Sequence, residues 1–172
     1  MDEIILKRLI IDIYTEPIID KVYSGICLVA NTDILMFLNY DEDNDEFDGF
    51  TIIKNKDFKA YQVWGKNEYK TIKNNNSQKL IESINISNFS NIKQALINLS
   101  SDLIAIYTYE NKNSYYVGQI NSINENIVEL RLINENSEWI NNTKFNIEEV
   151  SYIGFRTSYE RQLKEKIVPN KK

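Results

Sequence analysis

Apolar and polar residues alternate along most of the chain, which is the pattern of β-strands with one buried face. The alternation is clearest over residues 116–121 and 128–132, and a period of two turns successive side chains to opposite faces of a sheet. The runs 23–30 and 34–39 are more continuously apolar, which is typical of strands covered on both faces. The pattern therefore predicts a mainly β protein with antiparallel strands.

Helical periodicity occurs only at the margins of these strand-rich regions. Residues 91–99 carry apolar side chains at i, i+4, i+5 and i+7, which gives one apolar helix face. Near the end of the chain, Thr157 and Glu160 have the spacing of a capping box, and Pro169 closes the following run. We therefore expect a few helices that flank the strands.

The chain also matches itself at a shift of 93 residues. The matched pairs are Ile13 with Ile106, Tyr14 with Tyr107, Thr15 with Thr108, Tyr23 with Tyr116, Gly25 with Gly118, Asn31 with Asn124, and Ile34 with Ile127. Beyond residue 49 the shift becomes 92, which one deletion in a loop explains. Coincidence is the alternative, because Ile, Asn and Tyr are abundant here, but the pairs keep their order and their apolar spacing.

The repeat predicts two modules, residues 1–72 and 88–172, joined by an Asn-rich linker at 73–87. Each module would hold four or five short strands. A small closed or nearly closed barrel suits such a narrow sheet, because closure removes exposed strand edges. The predicted fold is therefore mainly β with a few flanking helices, as two tandem, internally duplicated small β-barrels.

This order of elements resembles the Sm-like and SH3-like small barrels. The residues that resemble the first Sm motif are Gly118, Gln119, Ile120, Ile123, Asn124 and Ile127. In the Sm family an Asn that contacts RNA bases follows, and its place holds Val128 here, or Leu35 in the first module. The second Sm motif is missing as well. The resemblance therefore implies the barrel architecture without the RNA site.

The stretch DEDNDEFDG carries six carboxylates in nine residues. Asp41, Asp43 and Asp45 have the first, third and fifth spacing of a calcium-binding EF-hand loop, but Glu46 stands where that loop needs glycine. In the second module the stretch aligns with residues 134–142, which keep the length and lose most carboxylates. We therefore predict a solvated hairpin tip, no metal site, and a candidate contact surface at these three aspartates.

Composition offers little for catalysis. The 172 residues include no histidine, so the side chain best suited to proton transfer near neutral pH is absent. The one cysteine, Cys27, lies in an apolar run, where a thiol usually acts as a small hydrophobic side chain. Walker A and dinucleotide-binding glycine patterns are missing. We therefore expect a protein that is not an enzyme and uses no cofactor.

The location follows from the same composition. The N-terminus begins with two acids and then interleaves Lys7 and Arg8 with apolar residues, which is not the order of a signal peptide. No apolar run reaches the length of a membrane span. These features predict a cytoplasmic protein, and the richness in Asn, Ile, Lys and Tyr is typical of an AT-rich bacterial or phage genome.

The first functional hypothesis is a non-catalytic protein-binding module, such as a bacterial or phage immunity or regulatory protein. Trp139 is a candidate anchor because it lies in a polar segment. The other interpretation of Trp139, a lid that folds back on the barrel end, is the one we prefer. The oligomeric state is left open by the sequence.

The second hypothesis is single-stranded RNA or DNA binding, with tyrosines that stack on bases. Lys54, Lys56, Lys59 and Lys66 make the first module locally basic. The net charge of −5 opposes this hypothesis, since it repels phosphate backbones. A solvated lysine-rich face is the simpler explanation, so another protein is the expected partner.

Overall fold

Ten antiparallel strands form one sheet in the computed structural model, which describes residues 2–15, 22–65, 75–110 and 115–167. The strands are β1 (Ile10–Thr15), β2 (Val22–Ala30), β3 (Ile34–Asp41), β4 (Glu46–Lys54), β5 (Phe58–Val63), β6 (Leu103–Thr108), β7 (Tyr116–Asn124), β8 (Ile127–Ile133), β9 (Trp139–Asn146) and β10 (Val150–Phe155). The helices within the described ranges are α1 (Asp2–Lys7), α2 (Ser77–Glu82), α3 (Ile92–Asn98) and α4 (Ser158–Ile167). The predicted mainly β class with a few helices is confirmed.

The sheet has the order β5-β1-β2-β3-β4-β10-β6-β7-β8-β9. Within each half, the last strand lies beside the first, and the others follow as a meander. The halves meet where β4 pairs with β10, with Phe50 opposite Phe155 and Ile52 opposite Ile153. The sheet is open, because β4 pairs with β10 rather than with the last strand of its own half. The predicted closed barrels are therefore not confirmed, and the boundaries of the two modules stay predictions.

Successive side chains of the first-half strands point to opposite faces of the sheet, so they belong to two apolar clusters. On β3, Ile34, Met36 and Leu38 belong to the largest cluster, whereas Leu35 and Phe37 belong to a second cluster on the opposite face. All five are essentially inaccessible to solvent. Both faces of β3 are therefore covered, as its continuously apolar sequence predicts.

The largest cluster contains side chains from both halves and from the segment between them. Phe50 of β4 and Phe155 of β10 are stacked with ring centroids 5.1 Å apart, and Phe89 stacks on Phe155 at 5.9 Å. Helix α2 contributes Ile81 and helix α3 contributes Leu96. The two halves therefore share one apolar core, and the predicted linker contains a helix that helps to form it.

Helix α4 covers the outer face of the second half. Its Leu163 is buried with Leu103 and Val117 in a third cluster. The helix begins after Thr157, whose backbone amide donates to the Glu160 carboxylate at 2.8 Å, as the capping-box spacing predicts. Asp48 of β4 accepts from the backbone amide of Ser158 at 2.9 Å. These bonds fix the start of the helix against the junction of the two halves.

The capping carboxylate makes a pH-dependent contribution to stability. Burial raises the pKa of Glu160 above its ordinary value, although hydrogen bonds from Thr157 oppose the shift. Because the native state then holds this proton more tightly than the unfolded state does, the contribution is complete below the unfolded pKa. It is lost as pH rises through the raised native pKa.

Replacing Glu160 with glutamine should remove this dependence. We expect the unfolding free energy of Glu160→Gln minus that of wild type to increase as the pH rises from below the ordinary pKa of 4.5 to about 7. Urea unfolding of both proteins at the two pH values measures the difference. A difference that stays constant, or moves the other way, would contradict the raised pKa.

Candidate functional site

The acidic stretch forms a tight hairpin tip between β3 and β4. Asp41 pairs with Glu46 across it, and the Asp41 carboxylate accepts from the backbone amides of Asp43 at 3.0 Å and Asn44 at 3.2 Å. Asp45, at φ 53°, accepts from the Tyr40 hydroxyl at 2.6 Å. Asp41 and Asp45, two of the three predicted aspartates, therefore stabilise the hairpin turn, and this role explains why they occur here.

The hairpin also changes the acidity of a nearby phenol. Burial, followed by the hydrogen bond and charge of Asp45, raises the pKa of Tyr40 to about 12. In the described part of the chain, no three His, Cys, Asp or Glu side chains are grouped so that they could hold a metal ion. A role of Asp41, Asp43 and Asp45 in contacting a partner stays a prediction.

Trp139 is the first residue of β9, opposite Ile133 of β8. Its ring packs against the third cluster, and the Arg131 guanidinium lies 4.5 Å from the ring centroid. Such a cation–π contact is favourable when the ring face is partly shielded. The structure therefore folds Trp139 back on the outer face of its own half, beside α4, and leaves it half-buried.

The predicted lysines do not form one group. Lys54 ends β4 and is 8% exposed, and its Nζ donates to the Glu148 carbonyl at 2.6 Å. Burial lowers its pKa. Lys56 is exposed, with its Nζ 4.4 Å from the centroid of the Tyr109 ring. Lys59 is an exposed residue of β5, and Lys66 lies outside the described residues.

Lys54 and Lys56 line a cleft of about 330 Å³ between the two halves. The cleft is built from the turns that follow β2, β4, β7 and β9, together with the start of α3. Its lining includes Thr32, Asp33, Asn91, Lys93, Asn126 and Glu148. Lys93 and Tyr109 were not singled out by the sequence. No sequence signal could have found them, because their proximity to Lys54 and Lys56 depends on how distant segments of the chain pack.

The two terminal strands of the sheet differ in chemistry. On β5, Tyr61 is 42% exposed and Val63 is 39% exposed. On β9, Ile140 is 57% exposed, but its neighbours on the same face, Asn142 and Lys144, are exposed polar residues, and charged residues protect an edge from unwanted strand pairing. Neither edge was predicted from the sequence, because a closed or nearly closed barrel leaves little strand edge exposed. The apolar edge of β5 is the stronger candidate for a binding surface.

Cys27 is fully buried on β2. Burial raises the pKa of its thiol to about 11, and the thiolate is the reactive form. We expect the native protein to react with a disulfide reagent near neutral pH about a hundredfold more slowly than the urea-unfolded chain. Absorbance of the released thiol measures both rates. Equal rates would show that Cys27 is accessible.

In the described portion, no helix is both long and apolar enough to cross a membrane. Comparisons of the chain with protein-family models, with curated proteins and with solved structures found no match.

Proposed function

We propose that this chain is a non-catalytic module that binds another protein, built from two copies of one five-stranded unit of the small-barrel type. The observation that carries the binding role is the open edge of β5, where Tyr61 and Val63 are exposed. The matching strand of the second half, β10, has a neighbour on each side. A strand edge with uncovered apolar side chains is suited to binding an extended segment.

The strand order and its irregularities support the duplication. Each half has its last strand beside its first. The register of β2 with β3 shifts between Cys27 and Val29, and that of β7 with β8 shifts between Ile120 and Ser122. These positions match at the shift of 93 found in the sequence. Bulges are specific local features, so their agreement favours two copies of one unit.

Burial supports the duplication as well. In the sequence match, residues of the second cluster align with residues of the largest cluster. The aligned pairs are Ile11 with Ile104, Ile13 with Ile106, Cys27 with Ile120, Leu35 with Val128, Phe37 with Leu130, and Ile53 with Phe145. Every one of these side chains is buried. Aligned positions of the two halves therefore carry buried apolar side chains in both.

Affinity purification from the native host, followed by binding of the purified partner, tests the proposed function. A specific protein should co-purify and should bind the recombinant chain in calorimetry. In parallel, a broad hydrolase panel tests the non-catalytic part. Turnover that a single carboxylate substitution abolishes would overturn this proposal.

The cleft between the halves supports a second candidate, binding of single-stranded RNA or DNA. It places the Lys54 and Lys56 ammonium groups 5.3 and 4.4 Å from the Tyr109 ring centroid, with Lys93 in the same lining. Ammonium groups contact phosphates, and an aromatic ring can stack on a base. Asp33 and Glu148 also line the cleft, and their charges oppose a polyanion.

Titration with labelled oligonucleotides at two salt concentrations separates this candidate from protein binding. Phosphate contacts require the affinity to fall steeply as salt rises. A Lys56→Ala/Lys93→Ala double variant should then weaken binding, whereas the control Lys59→Ala, on β5, should not. Absence of binding at low salt would remove the candidate.

A further inference from the structure

We propose that the outer edge of β5 accepts an extended strand from another protein, and that this strand carries two large apolar residues separated by one residue. The inference rests on the proposed function and deepens it by naming how the partner binds. Its template is within the molecule, where β4 lies against β10. Among the described strands, β5 ends the sheet.

The backbone of β5 is arranged for such an addition. The amide of Trp64 donates to the Ile10 carbonyl of β1 at 3.0 Å. In an antiparallel pair, hydrogen-bonding residues alternate along the strand. Ala60 and Gln62 therefore direct their amide and carbonyl groups toward β1, whereas Tyr61 and Val63 direct theirs away from it, to the open edge.

The side chains of β5 match those that β10 buries. At the shift of 92, Tyr61 aligns with Ile153 and Val63 aligns with Phe155. Ile153 and Phe155 are fully buried, and they lie opposite Ile52 and Phe50 of β4. Tyr61 and Val63 repeat this apolar spacing but are 42% and 39% exposed. The missing component at β5 is a strand that supplies what Phe50 and Ile52 supply at β10.

The β9 edge of a second copy does not supply it. The strand of the second half that corresponds to β4 is β9, in which Asn142 and Lys144 align with Phe50 and Ile52. Both residues are exposed, and neither is apolar. Addition of β9 from a second copy would therefore place a polar strand against Tyr61 and Val63, whereas the β4–β10 template calls for apolar residues at alternate positions. We therefore assign the edge to a different protein that carries such residues.

A synthetic peptide of residues 46–54, labelled with fluorescein, is the probe because it carries the Phe50-Thr51-Ile52 pattern of β4. Anisotropy titration with the full chain should show saturable binding. A control peptide with Phe50→Asn and Ile52→Lys, the residues of β9, should bind at least about tenfold more weakly, since it lacks the apolar anchors.

Two protein variants show where the peptide binds. Val63→Pro removes one outward amide, which an edge strand tolerates on its open side, and should weaken binding by about tenfold or more. Tyr61→Lys should weaken it through the side chain while it leaves the backbone intact. Circular dichroism and thermal melting check that both variants are folded. Peptide binding that neither variant changes would overturn the inference, because the peptide would then contact another surface.

Two other results would also overturn it. One is the absence of peptide binding to folded wild-type protein. The other is self-association in sedimentation analysis that Val63→Pro abolishes, since the occupant would then be a second copy. If a protein partner from the host binds wild type, Val63→Pro and Tyr61→Lys equally well, the proposed function stands and the strand-addition inference fails.

Discussion

Replacing Gly25 or Gly118 with alanine should destabilise the protein strongly and to a similar extent. A β-carbon at Gly25 would lie 2.1 Å from the carbonyl oxygen of Leu38, and one at Gly118 would lie 2.1 Å from the carbonyl oxygen of Arg131. Both contacts are with the backbone of the neighbouring strand. Since a backbone cannot move aside as a side chain can, we expect each substitution to cost about 3 kcal/mol or more of unfolding free energy.

Urea unfolding of the two variants measures the effect, and Gly154→Ala serves as the control. Its new β-carbon would first meet the hydroxyl of the Tyr152 side chain, at 2.9 Å, which can be displaced at lower cost. We therefore expect a smaller loss for Gly154→Ala. If one of Gly25→Ala and Gly118→Ala were tolerated and the other were not, the two glycines would not be equivalent, which would contradict the proposed duplication at these positions.

Replacing Phe155 with alanine should weaken both halves together. The Phe155 ring is fully buried and stacks between Phe50 and Phe89. Truncation of a buried phenylalanine costs about 3–5 kcal/mol. Because the largest cluster joins β4 to β10, we expect the unfolding midpoints of both halves to fall by the same amount.

The two tryptophans report the halves separately, since Trp64 follows β5 and Trp139 begins β9. Fluorescence of Trp64→Phe and Trp139→Phe proteins, each with and without Phe155→Ala, gives one midpoint for each half. Ile140→Ala is the control, because Ile140 is 57% exposed and its truncation should cost no more than about 0.5 kcal/mol. Separate midpoints for the two halves would show that each unfolds independently and would contradict the shared core.

Strand positions, the tail helix and the acidic hairpin could be predicted because each depends on neighbours in the chain. Alternation at 128–132 reports which side chains share a face, and Asp41 forms its turn with Asp43 and Asn44. The spacing of Thr157 and Glu160 indicates the start of α4 for the same reason. Such signals need only a few residues, so they are visible in the sequence.

The candidate surfaces could be predicted only in part. Lys54 and Lys56 were found as charges, but Lys93, which also lines the cleft, and Tyr109, which both lysines contact, come from the second half. Trp139 was identified from its polar surroundings, and its contact with Arg131 and the third cluster depends on how β8 and β9 pair. Residues that meet from distant parts of the chain have no local pattern that announces their contact.

By itself, the sequence determined which segments become strands and which of their faces are apolar. Only the tertiary structure decided that β4 pairs with β10, that β5 and β9 end the sheet, and that both halves share a core. The physical reason is that every residue other than proline carries the same backbone donor and acceptor. A period of two reveals the face of a strand, whereas the choice of its neighbour depends on packing and hydrogen bonds between residues far apart in the chain.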